Sequence, residues 1–233
     1  MIISHRYRFI FIKNLKTAGT SIETYLSPHC GERDVLTPIT PPEQGHEPRN
    51  FRGYFNAAPQ LLAPETAQAG FPSRAGIVWQ LMRGKRFFNH MPAVSVRARI
   101  PRHVWDGYLK FCVERNPFEK TVSFYEMLKR QNKVASVDDL IAQNRLPTDW
   151  ARYSDLSGAP IVDRVLRFED LDEELGRLFA ELGIPYSGQL DVRAKANPNK
   201  SKTDYRSVLN LDHRAEIERQ FSKEIYHFGY GWA

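Results

Sequence analysis

Two groups of residues could do chemistry in this chain, and both belong to polar segments that follow apolar runs. The first is Lys16-Thr17-Ala18-Gly19-Thr20-Ser21, three residues beyond the run Phe9–Ile12. A helix beginning there exposes unpaired backbone N–H groups and the positive end of its dipole. Gly19 allows a ligand close to the backbone, and Lys16 adds a mobile charge, so the group is suited to an anion. The second is Arg115 with Ser123, where a rigid guanidinium fork and a hydroxyl could share a phosphate. Each has a structural counterpart, a Thr/Ser-capped helix in one case and a salt-bridged arginine in the other. Together they suit a ligand with two separated anionic ends.

The elements that must position these groups are legible in outline. Tyr7–Lys13 predicts a buried strand, Thr20–Leu26 the first turns of a helix stopped at Ser27-Pro28, and Tyr108–Glu114 a second strand. "RNPFEKTVSFYEMLKR" predicts a helix with Pro117 in its first turn and a stripe of Phe118, Val122, Tyr125 and Leu128. Pro92 and Pro101 bracket a short basic helix, and Ser136 with Asp139 forms a capping box. Arg164–Phe168 is a third strand, followed by the stripe Leu175, Leu178, Phe179 and Leu182 closed by Gly183. A last helix is expected near Asp212–Lys223, burying Ile217 and Phe221. Strand alternating with helix predicts an α/β fold, a central parallel sheet flanked by helices. Both anion sites then fall at strand exits, where such sheets bind ligands. The stretch Pro28–Pro72 is rich in Pro, Gly and polar residues and breaks this rhythm.

A length of 233 residues and 42% hydrophobic content fit one folded domain over residues 1–233. The net charge of +6 favours anionic ligands without naming one. No apolar stretch is long enough to span a bilayer, and Arg6, Arg8 and Lys13 argue against a signal peptide. Cys30 and Cys112 are expected as free thiols of a cytoplasmic protein. The histidines form no ligand spacing, so no metal is expected.

"KTAGTS" after one strand and "VERNPFEKTVSFY" after another resemble the donor-binding motifs of sulfotransferases that use 3'-phosphoadenylyl sulfate (PAPS). The likeness is to the carbohydrate-type, family 2-like branch, which "VLRFEDL" and the "NPNKS" to "FGYGW" tail also fit. It runs from about Tyr7 to Trp232 and is weak between Pro28 and Phe88. The resemblance implies a P-loop-like three-layer fold with a variable acceptor-side insertion around residues 28–88. It implies that Lys16, Thr17, Ala18, Gly19, Thr20 and Ser21 cradle the 5'-phosphosulfate, with Lys16 also catalytic. Arg115 and Ser123 would hold the 3'-phosphate, and Lys200 and Ser201 would add a C-terminal donor contact. Lys13, Asn14 and Leu15 stand where the family commonly has His-Ile-Pro, so the path into the loop should differ.

By the same resemblance, "NHMPAVSVRARI" places the base that takes the proton of a hydroxyl acceptor, a sugar or glycan, at His90. Its titration near pH 6–7 would then set an acidic limb of the rate profile. His103 is the second choice. Arg83, Lys85, Arg86, Arg97 and Arg99 either steer an acidic acceptor or form a solvated face. Two readings compete. A P-loop kinase would need GxxxxGK[ST], in which Lys follows the last Gly, whereas here Lys16 precedes Gly19. A basic nucleic-acid-binding module would rest on "MRGKRFFNH", with no accompanying motif; nucleic acid is therefore not expected as a partner.

Overall fold

The computed structural model describes residues 1–63, 73–190 and 204–232. Its sheet has five strands: Ile2–Ser4 (β1), Phe9–Phe11 (β2), Val35–Leu36 (β3), Leu109–Glu114 (β4) and Arg164–Arg167 (β5), in the order β3-β1-β2-β4-β5. β2, β4 and β5 are parallel, as expected. β1 pairs antiparallel with both β2 and β3, so the sheet is mixed. The cause is local: His5–Arg8 is too short for a crossover and can only join antiparallel strands. The strand expected over Tyr7–Lys13 is thus the second arm of a hairpin, and the irregular stretch after Pro28 contributes the edge strand β3.

The helices are Gly19–Leu26 (α1), Ala58–Leu62 (α2), Arg74–Met82 (α3), Ala93–Arg99 (α4), Arg102–Gly107 (α5) and Pro117–Arg130 (α6). Val137–Ala142 (α7), Trp150–Tyr153 (α8), Leu171–Leu182 (α9), Leu211–Gln220 (α10) and Ser222–Phe228 (α11) follow. Strand alternation sends Phe9, Phe11, Phe111, Val113 and Leu166 to one face of the sheet, against Ile22 and Leu26 of α1 and Leu175, Leu178 and Phe179 of α9. Ile10, Ile12 and Cys112 face the other way, onto Val96, Val104, Trp105 and Tyr153. These two apolar seams make the three layers. Cys30 and Cys112 belong to opposite seams, which keeps the two thiols apart.

Local signals set the helix ends. Ser136 and Asp139 form the capping box of α7, and Gly183 closes α9 in the left-handed region at φ 70°. The single helix expected near Asp212–Lys223 is two, because the chain turns at Phe221 and sends that ring into the core. Among the described residues no helix is long and apolar enough to cross a membrane.

Candidate active site

The parallel register places the exits of β2, β4 and β5 side by side. Phe11 pairs with Phe111, the Ile12 N–H donates to the Phe111 carbonyl at 2.9 Å, and Glu114 pairs with Arg167. A cleft of about 720 Å³ opens beyond these ends. Lys16 through Ser21, His90, Arg115 and Ser123 all line it, so both motifs and the candidate base share one cavity. Lys200 and Ser201 lie outside the described residues.

The loop into α1 has an unusual backbone. Lys16 and Ala18 adopt positive φ values of 59° and 57°, a region that costs a non-glycine residue energy. Ala18 is the N-cap of α1, and no side chain caps that helix end. The Thr17 hydroxyl is buried without a hydrogen-bond partner. Strain, an uncapped dipole and an orphaned donor in one loop are features that a bound anion would resolve.

Gly19 serves a purpose the sequence alone did not show. A Cβ at that position would stand 2.6 Å from Lys13 Cγ. Lys13 is buried and pairs with Glu23 Oε2 at 2.6 Å, so the glycine makes room for an ion pair beneath the loop. The loop is further moored by Asn14, whose Nδ2 donates to the Val113 carbonyl at 2.9 Å.

At the second exit, Arg115 pairs with Glu119 Oε2 at 3.0 Å and donates to the Lys16 carbonyl at 3.5 Å. Its guanidinium lies 4.2 Å from the centre of the Phe168 ring, and its buried Nε has no partner. Phe168, the first residue after β5, is therefore a site residue that sequence reading passed over; its place at a third strand exit was the available signal. Glu169 beside it accepts from the Asn116 N–H at 2.7 Å and from the Tyr230 hydroxyl at 3.1 Å.

His90 sits at φ 57° in the connection before α4. Its Nδ1 lies 3.1 Å from the Lys13 carbonyl, which can only accept, so Nδ1 carries the proton and Nε2 keeps the lone pair. Burial, with Arg152 and Lys13 adding to it, holds the imidazole at about 3, well below its ordinary 6.5. Without a donor the ring is neutral over the physiological range, below which the titration expected near pH 6–7 has moved. His103, in α5, does not line the cleft.

Nor do Arg83, Lys85, Arg86, Arg97 and Arg99 line it. Arg99 is buried, donating to Gln60, Gln80 and the Lys85 and Arg86 carbonyls, while Arg86 returns the bond to the Arg99 carbonyl at 2.7 Å. Arg99 fastens α2, α3 and α4 together, and Arg86 braces the end of α4, away from the cleft. The cleft wall instead carries Glu169, Asp170, Asp172 and Glu173. Among the described residues no His, Cys, Asp and Glu side chains cluster as a metal site would require.

No family model matches the chain. An uncharacterized protein of Archaeoglobus fulgidus is 33% identical to it over 125 residues, 51% of this chain and 100% of that relative. Among solved structures, a sulfotransferase from Alicyclobacillus acidocaldarius is similar with a TM-score of 0.42 and 19% identity, over 94% of this chain and 92% of that one.

Proposed function

The chain belongs to the family of that uncharacterized archaeal protein, and we propose that its cleft transfers the sulfuryl group of PAPS to a hydroxyl acceptor. The observation that carries this reading is the meeting of both anion-binding motifs and a neutral imidazole in one cavity. The donor set fits a ligand with phosphates at two ends: the α1 terminus, Lys16 and the orphaned Thr17 hydroxyl at one, Arg115 and Ser123 at the other. PAPS would supply an activated sulfuryl group on a good leaving group.

The chain's own residues do the rest. The N–H groups of α1 and Lys16 stabilise charge that grows on the oxygen to which sulfur was bound. A sulfuryl group carries less charge than a phosphoryl group, so fixed donors suffice without a metal. His90 Nε2 takes the acceptor proton as the new S–O bond forms. The low proton affinity of this ring comes partly from Arg152 and Lys13. A polyanion beside Lys16 offsets those charges and makes the ring a better base once the donor is in place. The acceptor is a neutral sugar or glycan hydroxyl, since the carboxylate wall repels acidic ones. In this reading Ile39 and Thr40, which line the cleft, belong to the acceptor side.

Thermal shift with nucleotides tests the donor. Adenosine 3',5'-bisphosphate should raise the melting temperature, its 3'-dephosphorylated form should lose most of that effect, and ATP should do far less. Equal stabilisation by ATP would sink the reading.

A further inference from the structure

A charged cluster outside the cleft lining joins Asp149, which neither motif contains, to Glu114 and Lys120 of the second motif. Lys120, on the inner face of α6, meets Glu114 Oε1 at 2.5 Å and Asp149 Oδ2 at 2.9 Å, and all three side chains are 0% exposed. Burying three such groups costs several kcal/mol per ion before their attraction offsets it, so stability alone is a weak reason for them.

Each carboxylate also has other partners. Glu114 Oε1 accepts from the Arg115 N–H at 2.9 Å, at the second strand exit. Asp149 Oδ2 accepts from the Leu15 N–H at 2.7 Å, one residue before Lys16. Asp149 Oδ1 accepts from Arg152 Nε at 2.7 Å, and Arg152 Nη1 donates to the His90 carbonyl. Sheet pairing ends before these segments begin, at Ile12 on one strand and Glu114 on the other. Beyond that point the cluster links all three of them.

Resting on the function proposed above, we propose that Asp149 is a positioning residue: it holds the Lys16 loop directly at the Leu15 N–H, Arg115 through Lys120 and Glu114, and His90 through Arg152, and so fixes the three relative to one another. It touches neither donor nor acceptor. Its effect is geometric, and misplacement by about 1 Å is enough to cost a transfer reaction two orders of magnitude. Glu114 and Lys120 are neighbours within the second motif, but nothing in the sequence announces Asp149, whose partners Leu15 and Lys120 lie far from it along the chain.

Asp149→Asn tests it, since the amide keeps the shape and an oxygen for the Leu15 N–H while removing the charge. Amide hydrogen exchange of the ligand-free protein should quicken by about 10-fold or more at residues 14–18, 89–91 and 115–116, with α9 unchanged. Affinity for adenosine 3',5'-bisphosphate, read by calorimetry, should fall by about 10-fold or more. Arg152→Gln should confine the faster exchange to residues 89–91. If Asp149→Asn does not fold, Asp149→Asn with Lys120→Met removes opposite charges together and gives the same exchange readout. Faster exchange spread evenly over the three segments and α9, or none at all, overturns the positioning role. Wild-type protein that fails to bind the bisphosphate overturns the sulfuryl-transfer reading instead, while the exchange pattern still decides the role of Asp149.

Discussion

The two helices that leave neighbouring strands, α1 and α6, begin in opposite ways. α6 is finished: Asn116 accepts from the Phe118 N–H at 3.0 Å, Pro117 fills the first turn, and Arg115 is paired with Glu119. α1 starts from a left-handed alanine with no side-chain cap, beside a buried hydroxyl without a partner. A terminus that satisfies itself contributes to the fold, whereas one left open keeps its donors for a ligand. On the proposed function, the β2 exit carries the chemistry and the β4 exit grips the ligand.

His90 hangs from the β2 exit through the Lys13 carbonyl, and the largest effect is expected there. His90→Ala should lower turnover by roughly 100-fold to 10,000-fold while bisphosphate binding and fold persist. His103→Ala should cost little. The pH dependence sharpens the assignment. The folded ring holds its proton only below about 3, against 6.5 ordinarily. Between these values the unfolded chain binds more protons, so this contribution to stability is complete above pH 6.5 and is lost as pH falls toward 3. His90→Gln should therefore flatten the acid side of a plot of melting temperature against pH. An unchanged slope would show that other groups set it.

Next come the two cations. Lys16→Ala should lower turnover by about 100-fold to 1,000-fold with a smaller change in donor affinity, because its contact strengthens as the leaving group gains charge. Arg115→Ala should do the reverse, weakening bisphosphate binding by about 2–3 kcal/mol and removing the cation between Glu119 and the phosphate. If the two variants share one pattern, the division of labour between the exits fails.

Smaller effects probe the loop itself. Gly19→Ala pushes a methyl group into Lys13 and should destabilise the fold by about 1–3 kcal/mol in denaturant titration. Ala18→Gly relieves a left-handed alanine and should be neutral or stabilising by less than about 1 kcal/mol. A clear loss from Ala18→Gly would mean that the loop is not strained as its dihedrals indicate.

What the sequence alone determined is local. Phe and Ile runs, the Pro117 start, the Ser136 capping box and the Gly183 stop each act within a few residues, and the structure carries all of them. The two motifs were readable for the same reason, since each couples a strand end to the helix that follows it. One local signal was missed: the short link from Ser4 to Phe9 that turns β1 back on β2. Tertiary structure decided the remainder. Arg86 and Arg99 read as either a solvated face or an acceptor-steering patch, yet side-chain amides of α2 and α3 meet Arg99, and Arg86 and Arg99 bond each other's carbonyls. Phe168 lies beneath Arg115 only because β5 pairs with β4 in its observed register. The proton affinity of His90 depends on its burial and on Lys13 and Arg152, 77 and 62 residues away. Periodicity and capping record how a segment folds on itself; burial, register and long-range charge pairing exist only once distant segments have met.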